Sequence, residues 1–222
     1  MKRIRLEPST ADANQGELFQ CDDGERPQML LEEQGSIVDY WPNFLSRSSD
    51  WFASLEAEIP WQQHHVRLFG RELAAPRLSS WHGDRGASYR YSGTRYEPQP
   101  WTPTLARIRA QLERELGVGF NAVLANRYKD GNDAMGWHCD DEPELGSEPV
   151  IASISLGASR DFQLKRKLRG RAVINLALAD RSLLIMRGHC QRDWLHGLPR
   201  RKGVTQARIN LTFRLIEVML DL

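Results

Sequence analysis

Cysteine is scarce in this chain. Cys21, Cys139 and Cys190 are an odd number at no zinc-like spacing. That speaks against a disulfide framework and against a cysteine-built zinc site, and it fits a reducing compartment. Long apolar runs are missing as well, so no membrane span or membrane partner is expected. The basic start, Met1 to Arg5, is followed by Leu6-Glu7-Pro8 and not by an apolar stretch, which argues against a secretory signal. The expected location is therefore intracellular: cytoplasmic, or nuclear in a eukaryote. An excess of charge is lacking too, because 30 Lys and Arg face 29 Asp and Glu. A globally basic nucleic-acid binder is not indicated. No internal repeat is visible.

What remains is 222 residues of ordinary apolar content, enough for one domain with a sizeable core. Residues 1–34 are polar and rich in Asp, Glu, Gln and Gly, and read as a flexible tail. Residues 35–222 read as a single domain, with a monomer as the default. Ile37 to Trp41 is a short strand before Pro42. Trp51, Phe52, Leu55 and Ile59 recur at helical spacing within 46–59, stopped by Pro60. Residues 64–69 suggest a strand, and Pro76 to Gly93 an aromatic loop. Thr102-Pro103 opens a helix with Leu105, Ile108, Leu112 and Leu116 on one face, ending at Gly117. From Phe120 onward short apolar runs alternate with turns. Helices first and many strands afterwards predict an α+β, mainly β fold: a curved antiparallel sandwich backed by helices.

Two features carry chemistry. The first is His138-Cys139-Asp140 with His196 far downstream. Two imidazoles and one carboxylate make the facial set that holds non-haem Fe(II) and leaves positions open for co-substrates. Taken alone, His-x-Asp is a weak motif. Cys139 projects away from its neighbours on a strand and is a poor ligand candidate. The second feature is Arg208-Ile209-Asn210-Leu211-Thr212-Phe213-Arg214. Strand side chains alternate, so Arg208, Asn210, Thr212 and Arg214 share one face. Two arginines on an inward face call for an anion, and their forked donors match a carboxylate. On a surface edge strand the same arginines would simply be solvated.

Charge is also uneven locally. Lys165 to Arg171 and Arg200-Arg201-Lys202 are basic, while Asp140, Asp141, Glu142, Glu144 and Glu148 form an acidic stretch. Composition alone reads these equally as solvated loops or as phosphate contacts beside a metal site.

The ordered set of motifs resembles the AlkB family of Fe(II)/2-oxoglutarate dioxygenases. It comprises Asn126 to Gly131, His138 to Glu142, Ala152 to Gly157, Arg160-Asp161-Phe162, Trp194 to Pro199 and Arg208 to Arg214. It extends upstream through Phe69-Gly70, Pro76-Arg77, Gly83-Asp84 and Tyr89 to Gly93, and spans about residues 65–216. The resemblance implies a double-stranded β-helix (jelly-roll) core over about 120–216, with a nucleotide-recognition lid and supporting helices over about 35–119. It implies Fe(II) on His138, Asp140 and His196, with 2-oxoglutarate and O2 as co-substrates. Arg214 would meet the 1-carboxylate of 2-oxoglutarate. Arg208 would meet the distal carboxylate, helped by Asn126, Tyr128 and Asn210, with Thr212 lining the pocket. Phe69, Tyr89, Tyr91 and Ser92 would handle a flipped base, Phe69 as the wedge of the double-strand branch. Asp141 and Glu142 would sit near the base's exocyclic amine.

The activity so implied is oxidative demethylation of alkylated bases in DNA. Lesions of the 1-methyladenine and 3-methylcytosine type fit, because they pair poorly and are extruded cheaply. Tyr91, where the family often has phenylalanine, and the short Lys165 to Arg171 connection leave base and strand preference open. Two other readings stand beside this one. One is an oxygenase of the same fold acting on RNA or a protein side chain. The other is a binding jelly roll without a metal, which the presence of all three ligands and both arginines disfavours.

Overall fold

The computed structural model describes residues 26–68, 71–91, 94–168 and 172–217. The chain runs through β1 (Gln28–Glu33), β2 (Ser36–Trp41), α1 (Trp51–Glu58), β3 (Gln62–Leu68), β4 (Arg71–Gly83), β5 (Tyr89–Tyr91), β6 (Thr94–Tyr96) and α2 (Pro103–Leu116). It continues through β7 (Ala122–Tyr128), β8 (Met135–His138), β9 (Ile151–Gly157), β10 (Arg160–Arg166), β11 (Ala172–Leu178), β12 (Ser182–Gly188), α3 (Cys190–Asp193), β13 (Trp194–Leu198) and β14 (Arg208–Arg214).

The helices form where their caps allow. Asp50 accepts from the Ala53 amide, so α1 starts at Trp51 and not at Ser46, and it ends before Pro60. Thr102 caps α2 through the Leu105 amide, Pro103 takes the first turn, and Gly117 closes the helix in the left-handed region at φ 66°.

An eight-stranded sheet runs in the order β1-β2-β12-β9-β14-β7-β4-β3, and a four-stranded sheet in the order β11-β10-β13-β8. All ladders between these strands are antiparallel. One face of the large sheet carries Val123, Ala125, Ile154, Leu211 and Phe213, packed under Leu55 of α1 and Leu105, Ile108 and Leu112 of α2. The other face carries Val38, Ile151 and Leu184, which meet Phe162, Leu164 and Trp194 of the small sheet. This is the expected jelly roll with helices outside one sheet and a space between the two. Among the described residues no helix is long and apolar enough to cross a membrane.

Two expectations need correction. Residues before 35 were expected as tail, yet Gln28–Glu33 pairs with β2; residues 1–25 lie outside the described residues. The aromatic stretch from Pro76 was expected as loop, but β4 runs unbroken from Arg71 to Gly83. Proline is tolerated there because the register against β3 shifts between Gln63 and His65, leaving Ala75 to Arg77 bulged, and the ladder to β7 begins only at Leu78. By contrast, β14 is no edge, as the inward-facing reading of its arginines requires and the solvated-edge alternative does not allow. It lies between β9 and β7 with every residue buried.

Candidate metal centre and its cavity

The two sheets enclose a cavity of about 510 Å³. His138, Asp140 and His196 converge on it, each offering one ligand atom, all within 4.8 Å of one another. Local structure explains the convergence. His138 ends β8, His196 lies on β13, and the two are register partners with ring centroids 4.2 Å apart. Asp140 falls past the end of β8, where no ladder holds it. Instead the buried Gln191 of α3 accepts its backbone N–H through Oε1 at 2.9 Å.

Hydrogen bonding orients one ligand, and electrostatics favour the ligand form of the other two. A carbonyl can only accept, so His138 Nδ1 donates to Gly136 O at 2.9 Å, which leaves Nε2 as its ligand atom. His196 stacks on Phe162 at 5.7 Å. Burial, then the neighbouring His138, push its pKa down to about 3 against the opposing pull of Asp140, so the ring is neutral. Burial pushes the Asp140 carboxyl upward, but Arg214, His196 and His138 more than offset it, and the net shift is downward. Arg214 Nη2 donates to Asp140 Oδ1 at 2.9 Å. Two imidazole nitrogens and a carboxylate are the donor set that suits Fe(II).

The floor is β14 with its neighbours β7 and β9. Arg208 is 2 % exposed. Its Nη2 donates to Ser155 Oγ at 2.9 Å, and its guanidinium lies 5.3 Å from the Tyr128 ring centre. Its Nε is buried without a hydrogen-bond partner, and no carboxylate pairs with it among the described residues. Burial lowers its pKa to about 10, Tyr128 opposing the drop. A buried cation in that state is costly unless an anion joins it. Asn210 donates through Nδ2 to Ser153 Oγ (2.8 Å) and Ile154 O (2.9 Å), and accepts from Thr212 Oγ1 at 3.3 Å. Asn126 accepts from Arg77 Nε at 2.9 Å. A small dicarboxylate between Arg208 and the metal ligands answers both the charge and the open volume.

Of the other expected residues, Glu142 lines the cavity and Asp141 does not. Once the strand ends, Asp141 turns outward, accepts from Cys139 Sγ at 3.0 Å and pairs with Lys167 Nζ at 3.4 Å. Tyr89 and Tyr91 bound β5. Phe69 and Ser92 lie outside the described residues.

The cavity also recruits residues not singled out from the sequence for the site. Ser153 and Ser155 hold Asn210 and Arg208. The period-two argument used for β14 finds them too, since they alternate with Ala152 and Ile154 on β9. Gln191 carries no such signal, because its bond to Asp140 spans 51 residues. Arg77 and Trp137 also line the cavity.

Comparison with known proteins agrees with this geometry. The family described as the 2OG-Fe(II) oxygenase superfamily matches residues 38–214. The chain is 41% identical over 197 residues to mouse "DNA oxidative demethylase ALKBH2", covering 84% of this chain and 82% of that protein. It is 37% identical over 192 residues to rat "Alpha-ketoglutarate-dependent dioxygenase alkB homolog 3", covering 82% of this chain and 64% of that protein. Among solved structures, "The structure of OsALKBH1" superimposes with a TM-score of 0.61 at 15% identity, over 85% of this chain and all (100%) of that one. That likeness speaks for the fold alone.

Proposed function

The chain belongs to the AlkB family within the 2OG-Fe(II) oxygenase superfamily, and on that premise we propose that it oxidatively demethylates alkylated bases in DNA. The observation that carries the reading is a three-ligand cluster within 4.8 Å beside a buried arginine that lacks a carboxylate partner among the described residues. The relatives' printed activities support the substrate class.

His138, Asp140 and His196 would hold Fe(II), which with 2-oxoglutarate and O2 supplies the oxidising power to hydroxylate an N-methyl carbon while the co-substrate leaves as succinate and carbon dioxide. The protein does the positioning. Arg208, with Tyr128, Asn126 and Asn210 around it, receives the distal carboxylate of 2-oxoglutarate. Thr212 lines the same wall. Arg214 faces the metal end, where it already keeps Asp140 ionised. Leu178, Met186 and Leu198 line the cavity with apolar surface that excludes water.

Glu142 stands on the cavity wall where a cationic methylated base would meet it. Tyr89, Tyr91 and Ser92 belong to the segment we assign as the lid over that base, and Phe69 is assigned as the wedge that fills the stack the base leaves. The hydroxymethyl product then collapses to formaldehyde and the repaired base, with no acid or base needed at the carbon. The DNA substrate would place the enzyme's work inside the cell.

The test is formaldehyde release from a 3-methylcytosine DNA oligonucleotide with Fe(II), 2-oxoglutarate and air. Release that requires every component and vanishes in His138→Ala supports the reading. Succinate formed without any demethylation of DNA would overturn the substrate assignment and redirect it to RNA or protein.

A further inference from the structure

The expected basic clusters are partly neutralised from within. Arg166 pairs with Glu33, Lys167 with Asp141 and Arg201 with Asp161. Lys165 differs. No carboxylate pairs with it among the described residues, and its ammonium lies 4.2 Å from the ring centre of Trp137. Trp137 is itself unusual. Four large apolar side chains are exposed among the described residues, namely Met29, Trp137, Leu168 and Leu215; Trp137, at 41 %, is the aromatic one. It also lines the cavity, and it directly precedes the ligand His138 on β8, the edge strand of the small sheet. Lys165 reaches it across β13, with Leu195 as its own register partner. Leaving an indole in water forfeits burial energy unless something covers it.

We propose that Trp137 and Lys165 form a second nucleotide subsite at the mouth of the cavity, which takes an unpaired nucleotide of a single DNA strand next to the base in the cavity. The indole offers a stacking face, and the ammonium answers the phosphate of the same strand. This is how proteins hold single strands without reading sequence. In a duplex the neighbouring base is stacked on its own partners and has no free face for Trp137. The subsite therefore favours single-stranded over double-stranded substrate. This inference rests on the reading of the cavity as a nucleobase site.

The test separates the two. Binding of an unmodified single-stranded deoxyoligonucleotide and of its duplex is measured by fluorescence anisotropy for the wild type, Trp137→Ala, Trp137→Phe and Lys165→Gln. Formaldehyde release from methylated single strands is followed in parallel. Trp137→Ala is expected to weaken single-strand binding about five- to a hundredfold, the range for one stacked base. Trp137→Phe restores most of that loss, and duplex binding moves less than twofold. Lys165→Gln is expected to flatten the single-strand salt slope by about 0.7. Single-strand binding by Trp137→Ala within twofold of wild type, or an equal loss on both substrates, overturns the subsite. If formaldehyde release by the wild type is intact at that point, the proposed function survives its loss. Absent release from every methylated DNA tested overturns the function instead.

Discussion

The floor of the cavity and the basic rim of the protein surface use the same residue types under opposite conditions. On the floor, Arg208 and Arg214 are 2 % and 3 % exposed. One is paired with the metal-ligand aspartate, and the other has no acid partner among the described residues. On that surface rim, Arg166 and Arg201 reach water and lean on Glu33 and Asp161. A rim pair is worth up to about 1 kcal/mol, whereas breaking a buried pair costs about 3–5 kcal/mol. The floor is thus a set of commitments that only a ligand makes worthwhile. The rim can change residue by residue at little cost to the fold.

The largest effect should come from breaking the floor's ion pair between Arg214 and Asp140. Asp140→Asn keeps the shape, yet removes a ligand charge and leaves Arg214 buried beside a neutral amide. Demethylation should fall to background. The metal-free protein should lose about 3–5 kcal/mol of stability, read as a lower midpoint in urea with an unchanged slope. An unaltered midpoint would mean that water already screens the pair and that the floor is wetter than its burial implies.

Arg208→Met sharpens the same contrast in the other direction. It removes a buried cation that has no acid partner among the described residues, so the co-substrate-free protein should melt at the same temperature or higher. The KM for 2-oxoglutarate should rise at least about thirtyfold, because a buried charge contact worth about 2–5 kcal/mol is gone. Titrating succinate formation against 2-oxoglutarate reads the second effect and a thermal melt the first. A protein that became both less stable and no weaker for 2-oxoglutarate would show that Arg208 is structural.

The floor was legible in the sequence, and the reason is periodicity. Strand alternation put Arg208, Asn210, Thr212 and Arg214 on one face, and β14 between β9 and β7 shows that face lining the cavity. The same argument failed just past a strand end. Asp141 looked equivalent to Glu142, but once β8 stops there is no period to follow, and the two side chains part. Pro76 misled for a related reason: a proline inside a strand reads as a loop until the bulge that accommodates it is known. The rim's chemistry was visible only as composition. Which basic side chains are already paired depends on contacts such as Arg166 with Glu33, 133 residues apart in the chain, and no local pattern encodes those.

Gln191 lies between these cases: it is buried like the floor, yet it touches no ligand atom directly. Gln191→Ala should leave the fold standing and remove the acceptor that holds the Asp140 amide. An unsatisfied buried N–H costs about 1–3 kcal/mol, so Mn(II) affinity in a calorimetric titration should fall about five- to a hundredfold. Gln191→Glu, which retains an acceptor, should recover part of it. Equal affinity in Gln191→Ala and wild type would mean that Asp140 needs no outside support.

The smallest expected effect tests the rim itself. Arg200, Arg201 and Lys202 are all exposed, but only Arg201 has an acid partner among the described residues. Each phosphate neutralised by a free cation contributes about 0.9 to the log–log salt slope on duplex DNA. Arg200→Ala or Lys202→Ala should therefore flatten that slope by close to the full amount when the residue meets a phosphate. Arg201→Ala should change it less, because the Asp161 carboxylate already partly neutralises that cation and leaves it less phosphate charge to answer. The signature is a smaller change in both affinity and slope than either neighbour gives. If all three variants flatten the slope equally, Arg201 abandons Asp161 when DNA arrives, and the rim pairs are placeholders of the same kind that the floor reserves for its ligand.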